Sequence, residues 1–434
     1  MTMQNRMRIG WMILCVVVTL FGSTGRVAGQ TPADAELGAV LNAGDLWLLR
    51  ERYPVLKDSV SMEMLQLIAE AQLGVGFNRL EEAEAVLDVL LRKYQEEMGP
   101  TTTLNMAAVR AFNLLNLGHY AAAGEIGAQL VAALEGSQAP EAISGLRFIE
   151  RVGQGLADVP APYLERPDRD VQVPMEVIAT GRGHHLHIPV EVNGVTSDFI
   201  FDTGCSFGNF VTEEYAREVG LRIVADSIPV AGAQVGLVKL ATADSLRIGD
   251  LVYHHPVFMV APPDPELDAS LAYDGVLGFN FMRAAQEIVL DVEKGMFVFP
   301  AAVGTGTPNM VLASNVPYVR IRYDGEPFDL LFDSGNVKTD LGTDFARSFP
   351  KAVAGLPECH IQRGGFGGMV DLRAVTLPEW TFTLAGMSVT LHDTDVYETD
   401  QTLSFYSGSL GCDCILAFRR LTLNYAHMYL RGER

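Results

Sequence analysis

Phe199-Ile200-Phe201-Asp202-Thr203-Gly204 and Leu330-Leu331-Phe332-Asp333-Ser334-Gly335 are two copies of one pattern, and their pairing decides the fold. The two Asp residues stand 333 − 202 = 131 positions apart. The same offset maps Gly194 onto Gly325, Asp198 onto Asp329 and Thr212 onto Thr343. A lone Asp-Thr-Gly is ordinarily a turn, since short polar side chains and Gly suit any turn. Here three apolar residues run straight into each Asp, so a buried strand delivers a carboxylate to its C-terminal end. Burying one such carboxylate is costly without partners. Doing so twice in one chain suggests that the two carboxylates partner each other.

A second pair of copies follows. Asp274-Gly275-Val276-Leu277-Gly278 ends 278 − 202 = 76 residues after the first Asp, and Ser409-Leu410-Gly411 ends 411 − 333 = 78 after the second. Each precedes a closing strand, Ile288-Val289-Leu290-Asp291-Val292 or Leu421-Thr422-Leu423-Asn424-Tyr425. A Gly-bearing stretch lies between motif and motif in both copies, Gly232 to Gly236 and Gly364 to Gly368. The chain therefore holds an internal duplication of about 130 residues.

These motifs resemble the aspartic proteases of the pepsin and retropepsin type, which carry a hydrophobic-hydrophobic-Asp-Thr/Ser-Gly loop and a later hydrophobic-hydrophobic-Gly motif once per lobe. The compact copies and Gly364-Gly365-Phe366-Gly367-Gly368 are nearer to the retroviral type and its bacterial relatives. The resemblance implies a two-lobed β-barrel body with Asp202 and Asp333 as the catalytic pair. It implies loops locked by Thr203 and Ser334, and Val276-Leu277-Gly278 crossing beneath a loop to hold it. Gly204 and Gly335 would let backbone approach the carboxylates and donate N–H groups to them. Like charges that close cannot both ionise, so one proton is shared. The ionised partner would deprotonate a water, and the protonated partner would hydrogen-bond the scissile carbonyl. No cofactor or metal is needed. Candidate flaps are Gly232 and Gly236 in one lobe, and Gly364, Gly365, Phe366, Gly367 and Gly368 in the other. Ser409 in place of Val276, and Asn336 after Gly335, depart from the pattern without removing a catalytic group.

Upstream, residues 1–29 read as a secretory signal peptide, with Arg6 and Arg8 before the apolar run Ile9 to Phe21 and small residues at Val27-Ala28-Gly29. The run is short for a spanning helix, which needs about 20 residues. Periplasmic or extracellular localisation follows as an expectation, an uncleaved anchor being the alternative. Residues 32–155 read as all helix, with apolar residues at three and four spacing through Met62 to Ala71 and Ala83 to Leu90. Leu73-Gly74 to Ala83 is echoed by Leu117-Gly118 to Ala123, which resembles tetratricopeptide-like helix pairs at a loose spacing. Such an array could dock a protein partner, or simply pack. Residues 156–173 are Pro-rich and charged and read as a linker. The multidomain α plus all-β plan is then a helical domain, lobe 1 over 174–304 and lobe 2 over 305–434, with Thr305 to Asn309 as a hinge.

The formal charge of −21 argues against nucleic acid as a partner. Cys205, Cys359, Cys412 and Cys414 are an even set that permits disulfides in an exported protein, with no connectivity legible. Cys205 also reads as a small buried hydrophobe. His184, His185 and His187 could begin a metal site, but two ligands on one strand face do not make one, and an exposed strand start is the simpler reading. Three functions remain: an exported aspartic endopeptidase acting on peptide or protein substrates, a catalytically weak peptide-binding module of the same fold, or a scaffold whose helices carry the function. With both lobes in one chain, the site needs no dimer.

Overall fold

The structure is a computed structural model; it describes residues 31–136, 138, 140–232, 235–263, 273–398 and 407–434. The proposed signal peptide lies outside the described residues. The chain divides into a helical unit up to Ala161 and a β unit from Pro162.

Among the described residues the helical unit has seven α-helices: α1 Pro32–Ala43, α2 Leu46–Leu56, α3 Glu63–Gly76, α4 Leu80–Lys93, α5 Gln95–Asn116, α6 Tyr120–Leu134 and α7 Ser144–Gly155. Its entry is fixed by Asp34, whose carboxylate accepts from the Thr31, Ser61 and Met62 N–H groups and from the Thr31 and Ser61 hydroxyls. Burial raises this carboxyl, but those donors outweigh it and hold it well below the ordinary range. Helices α3 and α5 end in the same left-handed cap. Arg79 N–H donates to Gly74 O at 2.7 Å and Asn78 N–H to Val75 O at 3.3 Å; His119 N–H donates to Leu114 O at 2.9 Å and Gly118 N–H to Leu115 O at 3.1 Å. Asn78 and Gly118 both have positive φ, so the repeat is in register at 118 − 78 = 40. The echo expected between Gly74 and Gly118 is out of register. Gly74 instead permits helix contact, since a Cβ there would stand 2.8 Å from that of Ala83.

The β unit begins earlier than the sequence suggests. Tyr163–Glu165 and Val171–Pro174, inside the expected linker, are edge strands that pair with Leu251–His254 and Met296–Phe299. Alternating burial along Val171–Pro174 shows why: Val171 and Val173 face the core and the intervening residues face out.

Each lobe opens on a matching hairpin. Asn193-Gly194 and Asp324-Gly325 all have positive φ, as a two-residue hairpin turn requires. Gly183–Val192 pairs with Val195–Phe201 in lobe 1, and Val316–Tyr323 with Glu326–Phe332 in lobe 2. The second strand of each hairpin is then flanked in parallel by the later motif, Gly275–Leu277 or Gly408–Leu410. Thr212 caps the helix Glu213–Glu218, whereas the helix Thr343–Ser348 is entered from Gly342, so that copy slips by one residue.

The lobes meet in a five-stranded sheet. Glu287–Asp291 from lobe 1 pairs antiparallel with Arg420–Asn424 from lobe 2, flanked by Met296–Phe299 and Val171–Pro174 on one side and Tyr429–Glu433 on the other. The two closing strands read from sequence are thus partners of each other. Buried Glu287 accepts from Gly304 N–H, the Asn424 amide and the Tyr429 hydroxyl. The Thr305 to Asn309 segment is strapped rather than free. Asn309 N–H donates to Met428 O at 3.1 Å, its amide donates to Leu430 O at 2.8 Å, and Leu430 N–H donates back at 2.7 Å.

Candidate active site

Phe199, Phe201, Leu330 and Phe332 are fully buried, so both strands are gripped by the core up to the residue before each Asp. Each loop then hangs on its parallel neighbour. Asp202 N–H donates to Leu277 O at 3.1 Å, and Asp333 N–H to Leu410 O at 3.0 Å. The backbone support is thus the same in both lobes, although the buried Ser409 hydroxyl has no hydrogen-bond partner among the described residues, where Val276 has no hydroxyl to satisfy. The exit of each loop is pinned alike: Phe279 N–H donates to Cys205 O at 2.9 Å, and Cys412 N–H to Asn336 O at 2.8 Å. Neither departure from the family pattern disturbs the backbone.

The loops lock across the lobes. Thr203 Oγ1 donates to Phe332 O at 2.7 Å and accepts from Ser334 N–H at 3.0 Å. Ser334 Oγ donates to Phe201 O at 2.6 Å and accepts from Thr203 N–H at 3.0 Å. Both side chains are buried, and each hydroxyl both gives and takes. This clamp sets the carboxylates face to face. A Cβ on Gly204 would fall 2.5 Å from Asp333 Oδ1, and one on Gly335 2.3 Å from Asp202 Cγ, so only glycine fits at either place.

Asp202 Oδ1 accepts from Gly204 N–H at 2.7 Å and Cys205 N–H at 3.1 Å; Asp333 Oδ1 accepts from Gly335 N–H at 3.0 Å. Burial and the neighbouring charge of Asp333 push Asp202 well above the ordinary carboxylate range. Burial raises Asp333 too, but the Arg363 guanidinium, the hydrogen bond from the Asp202 acid, and the Gly335 and Asn336 N–H groups draw it back. Both carboxyls stand above the ordinary range, and the pair shares one proton. That pair can hold a water between a base and an acid.

The glycine stretches are hairpin tips. Glu358–Gly365 pairs with Gly368–Leu384 through Gly365 and Gly368, and Arg222–Ala231 with Val235–Thr242. Gly367 and Gly368 have positive φ, which the tight turn requires. The tips touch each other. The Phe366 ring lies 5.4 Å from that of Phe210, and a Cβ on Gly236 would come within 2.8 Å of it. A Cβ on Gly232 would stand 2.4 Å from the Phe366 carbonyl oxygen. Phe366, named from sequence as a flap residue, is engaged with the opposite flap.

Several groups near the dyad escape a motif reading. Arg363 sits on a flap strand and reaches Asp340 at 3.7 Å, which in turn accepts from the Asn336 amide at 3.0 Å. Arg182 of lobe 1 donates to buried Asp395 of lobe 2 at 2.6 Å. Burial and the Asp333 charge push the Tyr318 hydroxyl up to about 12. Tyr318 is the counterpart of His187, 187 + 131 = 318, a signal the duplication offered. The polar scaffolds under the loops match in role but not in residue. Gly278 N–H donates to Asn209 Oδ1 in lobe 1, where Gly411 N–H donates to Thr339 Oγ1 in lobe 2.

His185 and His187 are only 4% and 5% exposed, which corrects the exposed-strand reading. The helix Cys412–Leu416 and the strand Val171–Pro174 pack against the strand Gly183–Val192. The four described cysteines are free thiols, and Cys205 is buried as expected of a small hydrophobe. Among the described residues no group of three or more His, Cys, Asp or Glu side chains could hold a metal ion.

Residues 188–281 match the family model described as "Aspartyl protease". That segment contains the Asp202 loop and Val276-Leu277-Gly278. The chain is similar to a solved retropepsin-like aspartic protease from Rickettsia conorii, at 18% identity over 32% of this chain and 91% of that one, with a TM-score of 0.21. It is also similar to the solved structure of edgp, at 12% identity over 62% of this chain and 96% of that one, with a TM-score of 0.34. No curated protein matches it.

Proposed function

We propose that the chain is an exported aspartic endopeptidase that hydrolyses peptide bonds with a water activated between Asp202 and Asp333. The observation that carries this reading is the reciprocal clamp of Thr203 and Ser334, which aims two buried carboxylates at one point. The aspartyl protease match over the first loop supports it. Asp333 acts as base toward the water, and its proton-bearing partner Asp202 donates to the substrate carbonyl. The water oxygen bonds to the carbonyl carbon; the proton taken by Asp333 then passes to the peptide nitrogen as the C–N bond breaks, and a hydroxyl of the diol returns its proton to Asp202. The flap hairpins close over an extended peptide and exclude bulk water. Export rests on the sequence of residues 1–29, and docking of a protein partner on the helical unit rests on its helix pairs.

The test is cleavage of a mixed peptide library from about pH 3 to 7, with Asp202→Asn beside the parent. Cleavage by the parent and none by the variant supports the reading. Binding of peptides by folded parent without cleavage overturns it in favour of a binding module.

A further inference from the structure

The start of the Gly183–Val192 strand of lobe 1 runs along the Asp333 loop of lobe 2. A Cβ on Gly183 would meet the Val337 carbonyl oxygen at 2.1 Å, and His184 N–H donates to that same oxygen at 3.3 Å. The next side chain, His185, places Nε2 2.9 Å from the Gly335 carbonyl oxygen. A carbonyl only accepts, so the imidazole donates from Nε2–H. Its Nδ1 is buried with no hydrogen-bond partner, which suits the neutral ring and leaves a second proton nowhere to go.

The accepting group is the carbonyl of the Gly335–Asn336 peptide. The N–H of that same peptide unit, on Asn336, donates to the main-chain carbonyl of Asp333 at 3.1 Å. A hydrogen bond received at one end of a peptide polarises the other. His185 thus braces, through one peptide unit, the backbone turn that carries the Asp333 carboxylate. The duplication gives this residue no twin: 185 + 131 = 316 is Val316, which has no donor.

We propose that His185 is a positioning residue of the dyad: its neutral imidazole, carried on lobe 1, fixes the Asp333 loop of lobe 2, and its protonation in acid releases that loop. This rests on the aspartic protease reading above. His187 faces it on its own strand, with ring centroids 6.4 Å apart, and disfavours a second positive charge. Glu176 on the neighbouring strand and Asp198 on the next exert their attraction on His187. The Asp333 loop brings Asp333 and Lys338, and the packed helix Cys412–Leu416 brings Asp413, already bound to Thr339. Burial holds His185 below its ordinary range against the opposing pull of the Gly335 carbonyl, with His187 adding to the lowering, so the switch lies on the acid side.

Two variants of the full chain test this. In His185→Gln an amide N–H donates at every pH; in His185→Leu nothing donates. The expected result is a neutral-pH kcat near the parent's for Gln, a loss of about ten- to a hundredfold for Leu with KM little changed, and an acid limb displaced to lower pH in both variants, since neither carries the titrating ring. Gln and Leu variants with the same kcat, or with the parent's acid limb, overturn the proposal while the enzyme reading stands. In the 13C-histidine-labelled parent the His185 ring must titrate below an exposed His; an ordinary titration also overturns it. If the parent cleaves nothing, the enzyme reading fails on its own. The loop anchor then stands only if the Gln variant melts less steeply in acid than the parent, and falls if the two melts coincide.

Discussion

Asp202 and Asp333 sit in matching loops with unequal surroundings. Asp202 is raised by burial and by its partner's charge, so folding favours its protonated form. A carboxyl whose folded value is raised contributes stability that is fully present below the unfolded value, about 3.9, and lost as pH rises through the folded value. Asp202→Asn removes that loss. Its melting temperature should therefore exceed the parent's by a margin that opens as pH climbs toward neutrality, with activity abolished throughout. Arg363 acts on the other partner. Its charge lowers Asp333, and lobe 1 places no basic residue at the matching point, where Ala231 and Gly232 stand. Arg363→Met should move the acid limb of kcat upward by roughly one pH unit, read from a pH–rate profile on one peptide substrate. These residues were not legible as a motif. Arg363 and His185 act through folding that brings positions far apart in sequence to one loop, and nothing in their local spacing marks them.

At the scale of the element, the loops and their supports were legible because their constraint is local. An apolar strand, an Asp, a hydroxyl and a glycine must follow one another, and they do so twice. The clamp gives this its energy. Thr203→Val leaves the Ser334 N–H and the Phe332 carbonyl unpaired in a buried site, which should cost about 1–3 kcal/mol in chemical denaturation and more in kcat than in KM. The flap illustrates the opposite case. Its glycines were readable as a hairpin tip, but the seat of Phe366 on Gly232, Gly236 and Phe210 was not, since it joins two hairpins from different lobes. Phe366→Ala should leave stability within about 0.5 kcal/mol and raise KM for extended peptides. A lowered KM would mean that the ring obstructs the cleft. The histidine strand failed for a similar reason: alternation of His with apolar residues looks like a surface strand until elements distant in sequence, the Cys412–Leu416 helix among them, pack on it.

At the scale of the whole molecule, the sequence showed two lobes and left open how they join. Glu287–Asp291 and Arg420–Asn424 read as closing strands of separate lobes, and their pairing with each other follows from no local signal. The joint carries two buried carboxylates, Glu287 and Asp291, of which Glu287 is held by three donors. Glu287→Ala strands those donors and should destabilise the β unit by about 2–4 kcal/mol, with activity falling in step with the folded fraction. The same chain continuity that permits this joint also frees the halves from one another. Two identical subunits related by a strict twofold must repeat every substitution, so a histidine beneath one aspartate would appear beneath both. Here the duplicated halves inherit changes separately: His185 faces Val316 across the pseudo-symmetry, and Asn209 answers to Thr339. A mutation can therefore tune the surroundings of one aspartate without touching those of the other, an option closed to any homodimeric ancestor of this architecture.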